Sequence, residues 1–186
     1  MANIYLSSYT KRMYEKKAKM ACWIGMVVIL LLSSLFHFAF ELFGKYKILA
    51  VIFAVNESVW EHLKIGFFAG FIFYIIEFFI YGKEFDNFFA AKATALFLIP
   101  FLTATFFYTY TAFLEDNLIL DISTLVLAII IAQLVSLRMT LSSKRYKKAP
   151  FVFLIILLLI IFPLFTYIPP KIPQLFYDFY HKRYGI

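Results

Sequence analysis

Two glutamates, an asparagine and a histidine occur within seven residues of this chain, in the run Asn56–His62. Imidazole and carboxylate groups are ligands of zinc, manganese and iron, and carboxylates also act as general bases. Charged groups are costly next to hydrocarbon, so a cluster of them beside apolar segments indicates a functional site. The run is therefore the first candidate for ligand binding or chemistry.

Three further residues carry groups of the same kind. His37 and Glu41 are spaced i, i+4, which places their side chains on one helix face, one turn apart. Asp121 begins a later apolar segment, at a level comparable with His37. We expect five metal ligands and two candidate general bases. The ligands are His37, Glu41, Glu57, His62 and Asp121, and the bases are Glu57 and Glu61.

These assignments have structural alternatives. Ser58 and Glu61 fit the capping-box pattern at a helix start, in which both side chains bond backbone amides. A satisfied hydrogen-bond network would also explain a cluster of histidines and carboxylates. The chain has neither the His-Glu-x-x-His array of zinc proteases nor a Gly-x-Ser-x-Gly elbow. The cluster is thus compatible with metal binding, but its residue types and spacing do not identify a reaction.

The rest of the chain has the composition of a membrane protein. Of its 186 residues, 63% are hydrophobic, against roughly 50% in soluble domains. Five segments supply the roughly 20 apolar residues that cross a ~30 Å hydrocarbon core. They are Met20–Phe43, Leu63–Tyr81, Phe88–Leu114, Leu118–Met139 and Pro150–Ile168. The expected fold is an all-α polytopic bundle of five transmembrane helices, in a single domain over residues 1–186.

The segment between the first two spans has a distinct role. Tyr46–Val55 is apolar but too short to cross a membrane, which favours a re-entrant or interfacial segment. Irregular backbone at that depth is stable only where it is buried in protein or lines a wet cavity. We therefore expect a small polar cavity that contains part of Asn56–His62.

The tail over residues 169–186 is rich in proline and aromatic residues. Pro169 and Pro170 end the last helix, and the aromatic side chains favour the membrane interface. The ordinary expectation is a solvated or interface-anchored tail. The alternative is a lid over the cavity, to which Asp178 and His181 would contribute.

The basic residues predict an orientation. The net charge of +7 comes mainly from short segments that flank the spans, such as residues 1–19. An amino terminus inside the cell satisfies the positive-inside rule, and the tail is then extracytoplasmic. All three histidines fall on the outer side. Because the basic residues lie in segments that flank the membrane spans, we expect the lipid bilayer as a partner and no nucleic acid.

Two features within the spans limit the chemistry. Cys22 is the only cysteine, so neither an intrachain disulfide nor a thiolate metal site can form within one chain. Glu77, near the inner end of the second span, is expected to pair with Lys92 across the following turn. A metal would therefore have oxygen and nitrogen ligands.

Several motifs resemble a known family. Phe36, His37 and Glu41, followed by the Asn-Glu-Ser-x-Trp-Glu-His signature of Asn56–His62, are similar to a family of small bacterial integral membrane proteins classed as a domain of unknown function. The tail motifs Pro169–Pro170, Leu175–Asp178 and Tyr184–Ile186 are similar too. The resemblance implies a class of membrane protein and no mechanism.

Three kinds of function remain open. The first is a polar cavity near the extracytoplasmic face that binds a divalent metal ion (zinc, manganese or iron) or a small polar ligand. The second is a metal-dependent hydrolase or transferase acting on a lipid or envelope precursor. The third is a transport component, or an assembly scaffold with a purely structural polar network. Five spans without an inverted repeat disfavour a self-sufficient secondary transporter.

Overall fold

The computed structural model describes the backbone of residues 2–186 and the side chains of residues 9–186. The long helices are α1 (Ala2–Leu42), α2 (Val59–Ile80), α3 (Phe88–Thr111), α4 (Leu118–Thr140) and α5 (Lys148–Tyr167). The tail forms α6 (Pro173–Phe176), β1 (Tyr177–Asp178) and β2 (Arg183–Tyr184). The fold is therefore all-α apart from one small two-stranded sheet.

The five long helices are each apolar and long enough to cross a membrane, which confirms the predicted spans. Helix α1 begins well before the predicted start at Met20. The stretch just before Met20 contains several good helix formers, which let the helix continue into the basic segment: Lys11, Arg12, Met13, Glu15, Lys16, Lys17, Ala18 and Lys19.

The centre of the bundle consists of α2 and α3. Their most apolar stretches are 61% and 56% buried, whereas that of α5 is 11% buried. Phe67 of α2 and Leu96 of α3 are almost inaccessible, and Ile29 of α1 and Ile129 of α4 pack into the same core. Helices α1, α4 and α5 therefore present more of their apolar surface on the outside of the bundle than α2 and α3 do.

An ion pair between Glu77 and Lys92 lies inside the bundle, away from the candidate site. Glu77 Oε2 is 2.7 Å from Lys92 Nζ, and both side chains are buried. The Tyr81 hydroxyl donates to Glu77 Oε1 at 2.5 Å. The predicted pairing of Glu77 with Lys92 is thus confirmed.

The segment between α1 and α2 folds at one end of the bundle, where α1 ends at Leu42 and α2 begins at Val59; we call this the site end. A 3-10 helix covers Lys47–Val51, and Ala50 within it is buried. The Ala54 amide donates to the Phe36 carbonyl at 3.2 Å, which ties the segment back onto α1. The segment is therefore short and does not cross the bundle.

The tail docks onto the site end. Strands β1 and β2 pair antiparallel, with Tyr177 opposite Tyr184 and Asp178 opposite Arg183. An Arg183 guanidinium N–H donates to the Val55 carbonyl at 2.8 Å. This corrects the expectation of a solvated or interface-anchored tail, because the tail is bonded to the residues that begin the Asn56–His62 run.

Gly185 makes this docking possible. The Asn56 side-chain amide donates to its carbonyl at 2.8 Å. Gly185 has φ +60°, and a Cβ there would lie 2.6 Å from the Thr166 carbonyl oxygen. Glycine has neither the steric penalty at positive φ nor the Cβ, so it permits this close approach of the tail to α5.

Candidate metal centre

Three side chains converge at the site end: His37 from the last turns of α1, His62 from the first turn of α2, and Glu57 from the residues that precede α2. The two Nε2 atoms of His37 and His62 are 3.1 Å apart. Glu57 Oε2 is 3.3 Å from His37 Nε2 and 3.6 Å from His62 Nε2. These three atoms form a compact triangle, which we call the triad.

The triad has the dimensions of a metal site. Nitrogen and oxygen ligands at about 2.0–2.2 Å from zinc, at tetrahedral angles, are about 3.3–3.6 Å apart. The three observed separations of 3.1, 3.3 and 3.6 Å lie at or within a few tenths of an ångström of that range. One ion can therefore contact all three atoms with only small movements of the side chains.

The bond at the other ring nitrogen of His62 fixes its tautomer. His62 Nδ1 lies 2.9 Å from the Ser58 carbonyl oxygen. Because a carbonyl only accepts, Nδ1 carries the proton and the neutral ring has its lone pair at Nε2. Histidine ligands of metals are oriented in this way by a carbonyl or carboxylate behind the ring.

His37 supplies the proton that holds the triad together without a metal. Its Nδ1 is buried and has no hydrogen-bond partner among residues 9–186. A proton on Nε2 is the less costly tautomer, because it can be donated to His62 Nε2 or to Glu57 Oε2. That proton points from His37 Nε2 toward the lone pairs of His62 Nε2 and Glu57 Oε2, into the space that a cation would take.

The tail binds the backbone of Glu57 through Asp178. The Asp178 side chain is fully buried, and its Oδ2 accepts a hydrogen bond from the Glu57 amide at 3.1 Å. The hydrogen bond with His37 lowers the pKa of the Glu57 carboxyl, although burial opposes that shift. Burial alone would raise the pKa of Asp178, but donors from His181, Glu57 and Tyr180 outweigh it and lower that pKa.

A cavity of about 550 Å³ opens beside the triad. Its walls come from α1, the start of α2, α3, the start of α4 and Tyr180 of the tail. His37, Glu57 and His62 line it together with Asp121, so the structure brings four of the five predicted ligands to one space. A cavity is thus present at this end of the bundle, but it is polar only in part, whereas the sequence predicted a small polar cavity.

Asp121 lines the same cavity as the triad but is not one of the three converging residues. Its carboxylate accepts a hydrogen bond from the Tyr110 hydroxyl, which also lies 3.1 Å from Asp116 Oδ1. Among the described residues, the group that can hold one ion contains His37, Glu57 and His62 without Asp121. Asp121 is therefore positioned to face a bound ligand.

Glu41 does not join the cluster. Its Oε1 pairs with Lys45 Nζ at 2.8 Å, and its side chain is 63% exposed. Glu41 lies in the last turn of α1, where the chain leaves the helix and Lys45 folds back to it. The structure therefore does not place Glu41, which the sequence predicted as a ligand, among the three converging side chains.

Glu61, the second residue expected as a general base, does not join the triad either. Its Oε2 is 2.5 Å from Lys64 Nζ, and both side chains are almost fully buried. The Thr166 hydroxyl donates to Glu61 Oε1 at 2.6 Å, and the Val55 amide donates to Oε2 at 3.1 Å. The Glu61 carboxylate is therefore part of a buried network with Lys64, Thr166 and Val55, separate from the triad.

The capping box is absent at the start of α2. Ser58 is the N-cap residue, but its side chain makes no capping bond. The Ser58 amide is instead satisfied by Asn56 Oδ1 at 2.9 Å. The spacing matched the motif, yet Glu61 bonds Lys64 and not the N-cap amide.

Two important contacts of the site end were not predicted from the sequence: that of Lys64 with Glu61 and that of Asp178 with Glu57. Lys64 is spaced i, i+3 from Glu61, and this spacing is the signal that could have indicated a helical ion pair. The sequence brings Asp178 to the cavity only in the alternative in which the tail forms a lid, and it predicts no bond to Glu57. The bond of Asp178 to Glu57 spans 121 positions and has no local signal in the sequence.

Comparison with known proteins gives one match. A family model described as "Family of unknown function (DUF6512)" matches residues 10–186, which include every residue of the triad and the tail. No curated protein and no solved structure matches the chain. The match agrees with the resemblance to a domain of unknown function. The chain therefore belongs to the DUF6512 family of unknown function.

Proposed function

We propose that this membrane protein binds one divalent metal ion, of the zinc class, between His37 Nε2, His62 Nε2 and Glu57 Oε2. The observation that carries the proposal is the triangle of 3.1, 3.3 and 3.6 Å among these atoms. If two histidines and a carboxylate only formed hydrogen bonds, contacts between pairs of atoms would be enough. All three atoms would not need to lie close to one another.

The chemistry of the donors supports zinc, manganese or iron. Two imidazoles and one carboxylate suit these ions, whereas calcium and magnesium prefer oxygen ligands alone. Three protein ligands leave one position of a tetrahedral ion for water or a ligand, as in hydrolytic zinc sites. In this arrangement the free position faces the cavity that Asp121 also lines.

That free position favours a metal-dependent hydrolase or transferase as the second candidate. The metal would supply a Lewis acid and an activated water, while Asp121 would supply an oxygen base on the cavity wall. This candidate requires that the zinc-loaded protein consumes a lipid ester and that the His62→Ala variant does not.

Metal analysis of the purified protein tests the binding proposal. We expect about one zinc ion per chain after loading and gel filtration. His62→Ala and Glu57→Gln should each weaken zinc binding by more than about 100-fold, because changes behind the ligands already cost about 10–100-fold. Competition titration with a chromogenic chelator measures this loss.

Glu41→Gln is the matched control, because Glu41 is an equally acidic residue of the same end but pairs with Lys45 in solvent. Its zinc affinity should equal that of the wild type. Substoichiometric zinc in the wild-type protein, or equal affinity in Glu57→Gln and Glu41→Gln, would contradict the proposal.

We further infer that the site end faces the outside of the cell. The support is the separation of charge: the basic amino-terminal segment of α1 and the triad lie at opposite ends of that helix. With Cys22 replaced by serine, Lys182→Cys should react with an impermeant maleimide in intact cells, whereas Lys144→Cys should not. The reverse pattern of labelling would place the site end inside.

A further inference from the structure

The cavity beside the triad is polar at one end and apolar elsewhere. Its volume of about 550 Å³ falls within the ~300–1,000 Å³ of small-molecule sites. It continues past the triad to Ser33, which lies four residues before His37 and so about 6 Å deeper along α1. Its walls there include Leu63, Ile65 and Leu125.

The hydroxyl groups in the deep part are already used. Ser33 donates to the Ile29 carbonyl at 2.8 Å, Thr103 to the Ile99 carbonyl at 2.8 Å, and Thr124 to the Asp121 carbonyl at 2.7 Å. These side chains present no free donor to a ligand. The deep part therefore suits hydrocarbon better than a polar solute.

The cavity also opens sideways, between the end of α1 and the start of α4. Phe38 of α1 is 67% exposed, and Leu118 and Ile122 of α4 are 72% and 49% exposed. All three line the cavity. Apolar side chains that are this exposed on membrane-spanning helices face lipid, so the side opening connects the cavity with the bilayer.

The charges that line the cavity favour a ligand whose polar head group is neutral. Glu57, Asp116 and Asp121 line it, and the described lining residues include no lysine and no arginine. One divalent ion offsets two of these three carboxylates. An anionic head would therefore meet a site that is still negative, whereas hydroxyl or ester oxygens can reach the metal position without that cost.

We propose that the cavity binds the single hydrocarbon chain of a neutral membrane amphiphile, such as a monoacylglycerol, which enters between α1 and α4 and places a head-group oxygen at the triad. The head-group part of this proposal rests on the proposed metal site. The chain part rests on the side opening and on the apolar walls.

Photolabelling tests the proposal. The full chain, loaded with zinc, is placed in phosphatidylcholine vesicles with a monoacylglycerol that carries a diazirine in its chain. We expect cross-links concentrated on residues that line the cavity, and displacement by unlabelled monooleoylglycerol. Ile122→Trp should reduce this labelling about tenfold by filling the opening, and Leu118→Trp serves as a second variant at the same opening.

Leu127→Trp is the matched control, because Leu127 is 51% exposed on the same helix and does not line the cavity. It should label like the wild type. Uniform labelling of the exposed face of α4, insensitive to Ile122→Trp, would overturn the proposal. So would competition by glycerol as strong as that by monooleoylglycerol, or a tenfold preference for lysophosphatidic acid.

Zinc content, measured on the same samples, separates the two proposals. Cavity labelling in a protein that retains no zinc would contradict the metal site and leave the chain site supported. Stoichiometric zinc without cavity labelling would contradict the amphiphile alone. Cavity labelling with zinc bound supports both.

Discussion

Replacing Lys64 with methionine is expected to lower the free energy of unfolding by about 3–5 kcal/mol, because it leaves Glu61 as an uncompensated buried charge. The Lys64 ammonium is fully buried, and its three N–H groups have three acceptors. These are Glu61 Oε2 at 2.5 Å, the Ala50 carbonyl at 2.7 Å and Thr166 Oγ1 at 2.9 Å. The network joins α2, α5 and the segment between α1 and α2. Equilibrium unfolding in mixed micelles measures the loss.

The double variant Glu61→Gln/Lys64→Met separates the charge from the packing. It removes both charges, and the glutamine oxygen can still accept from Thr166 or Val55. We expect it to recover most of the stability that Lys64→Met loses. Lys45→Met is the matched control: its pair with Glu41 is exposed, and such pairs contribute about 0.5 kcal/mol. Equal losses in Lys64→Met and Lys45→Met would contradict a structural role for the buried pair.

Asp178→Ala is expected to release the tail and to weaken zinc binding by about 10–100-fold without removing a metal ligand. Asp178 accepts from the backbone amides of Glu57 at 3.1 Å and of Tyr180 and His181 at 2.9 Å. Each buried donor left without a partner costs about 1–3 kcal/mol, so the docked tail loses its main attachment to Glu57. Hydrogen exchange of residues 177–186 and zinc titration measure the two effects.

His181→Ala is the control for this prediction. The His181 ring is 61% exposed and contributes one bond to Asp178, of 2.7 Å, while its backbone amide is kept in the variant. We expect protection of the tail close to that of the wild type and a smaller change in zinc affinity. If Asp178→Ala leaves both tail protection and zinc affinity unchanged, the tail does not support Glu57.

Much of the site was predictable because it lies on regular elements. His37 lies in a helix that hydropathy alone identifies, and His62 directly precedes the next predicted span, in the first turn of α2. Both had to come close to the same membrane surface, since each lies near the same end of its span. The rotation of the two helices then decided that their Nε2 atoms face each other.

The choice among the carboxylates was not predictable in the same way. Glu41, Glu57 and Glu61 all lie within reach of the site end, and each had a plausible role from spacing alone. Lys45 binds Glu41 and Lys64 binds Glu61, so Glu57 alone of the three remains at the histidines. These pairings depend on three-dimensional packing, which a local sequence pattern does not reveal.

The sequence by itself determined the membrane class, the five spans and the end of the bundle at which the polar residues gather. The free energy of transferring a segment from water into a membrane is nearly the sum of the contributions of its residues. The spans can therefore be identified without knowledge of the fold. The tertiary structure alone decided that the triad is His37, Glu57 and His62, and that the tail anchors Glu57 through Asp178. Those contacts join residues 25 and 121 positions apart, and the docking of helices and tail sets their distances.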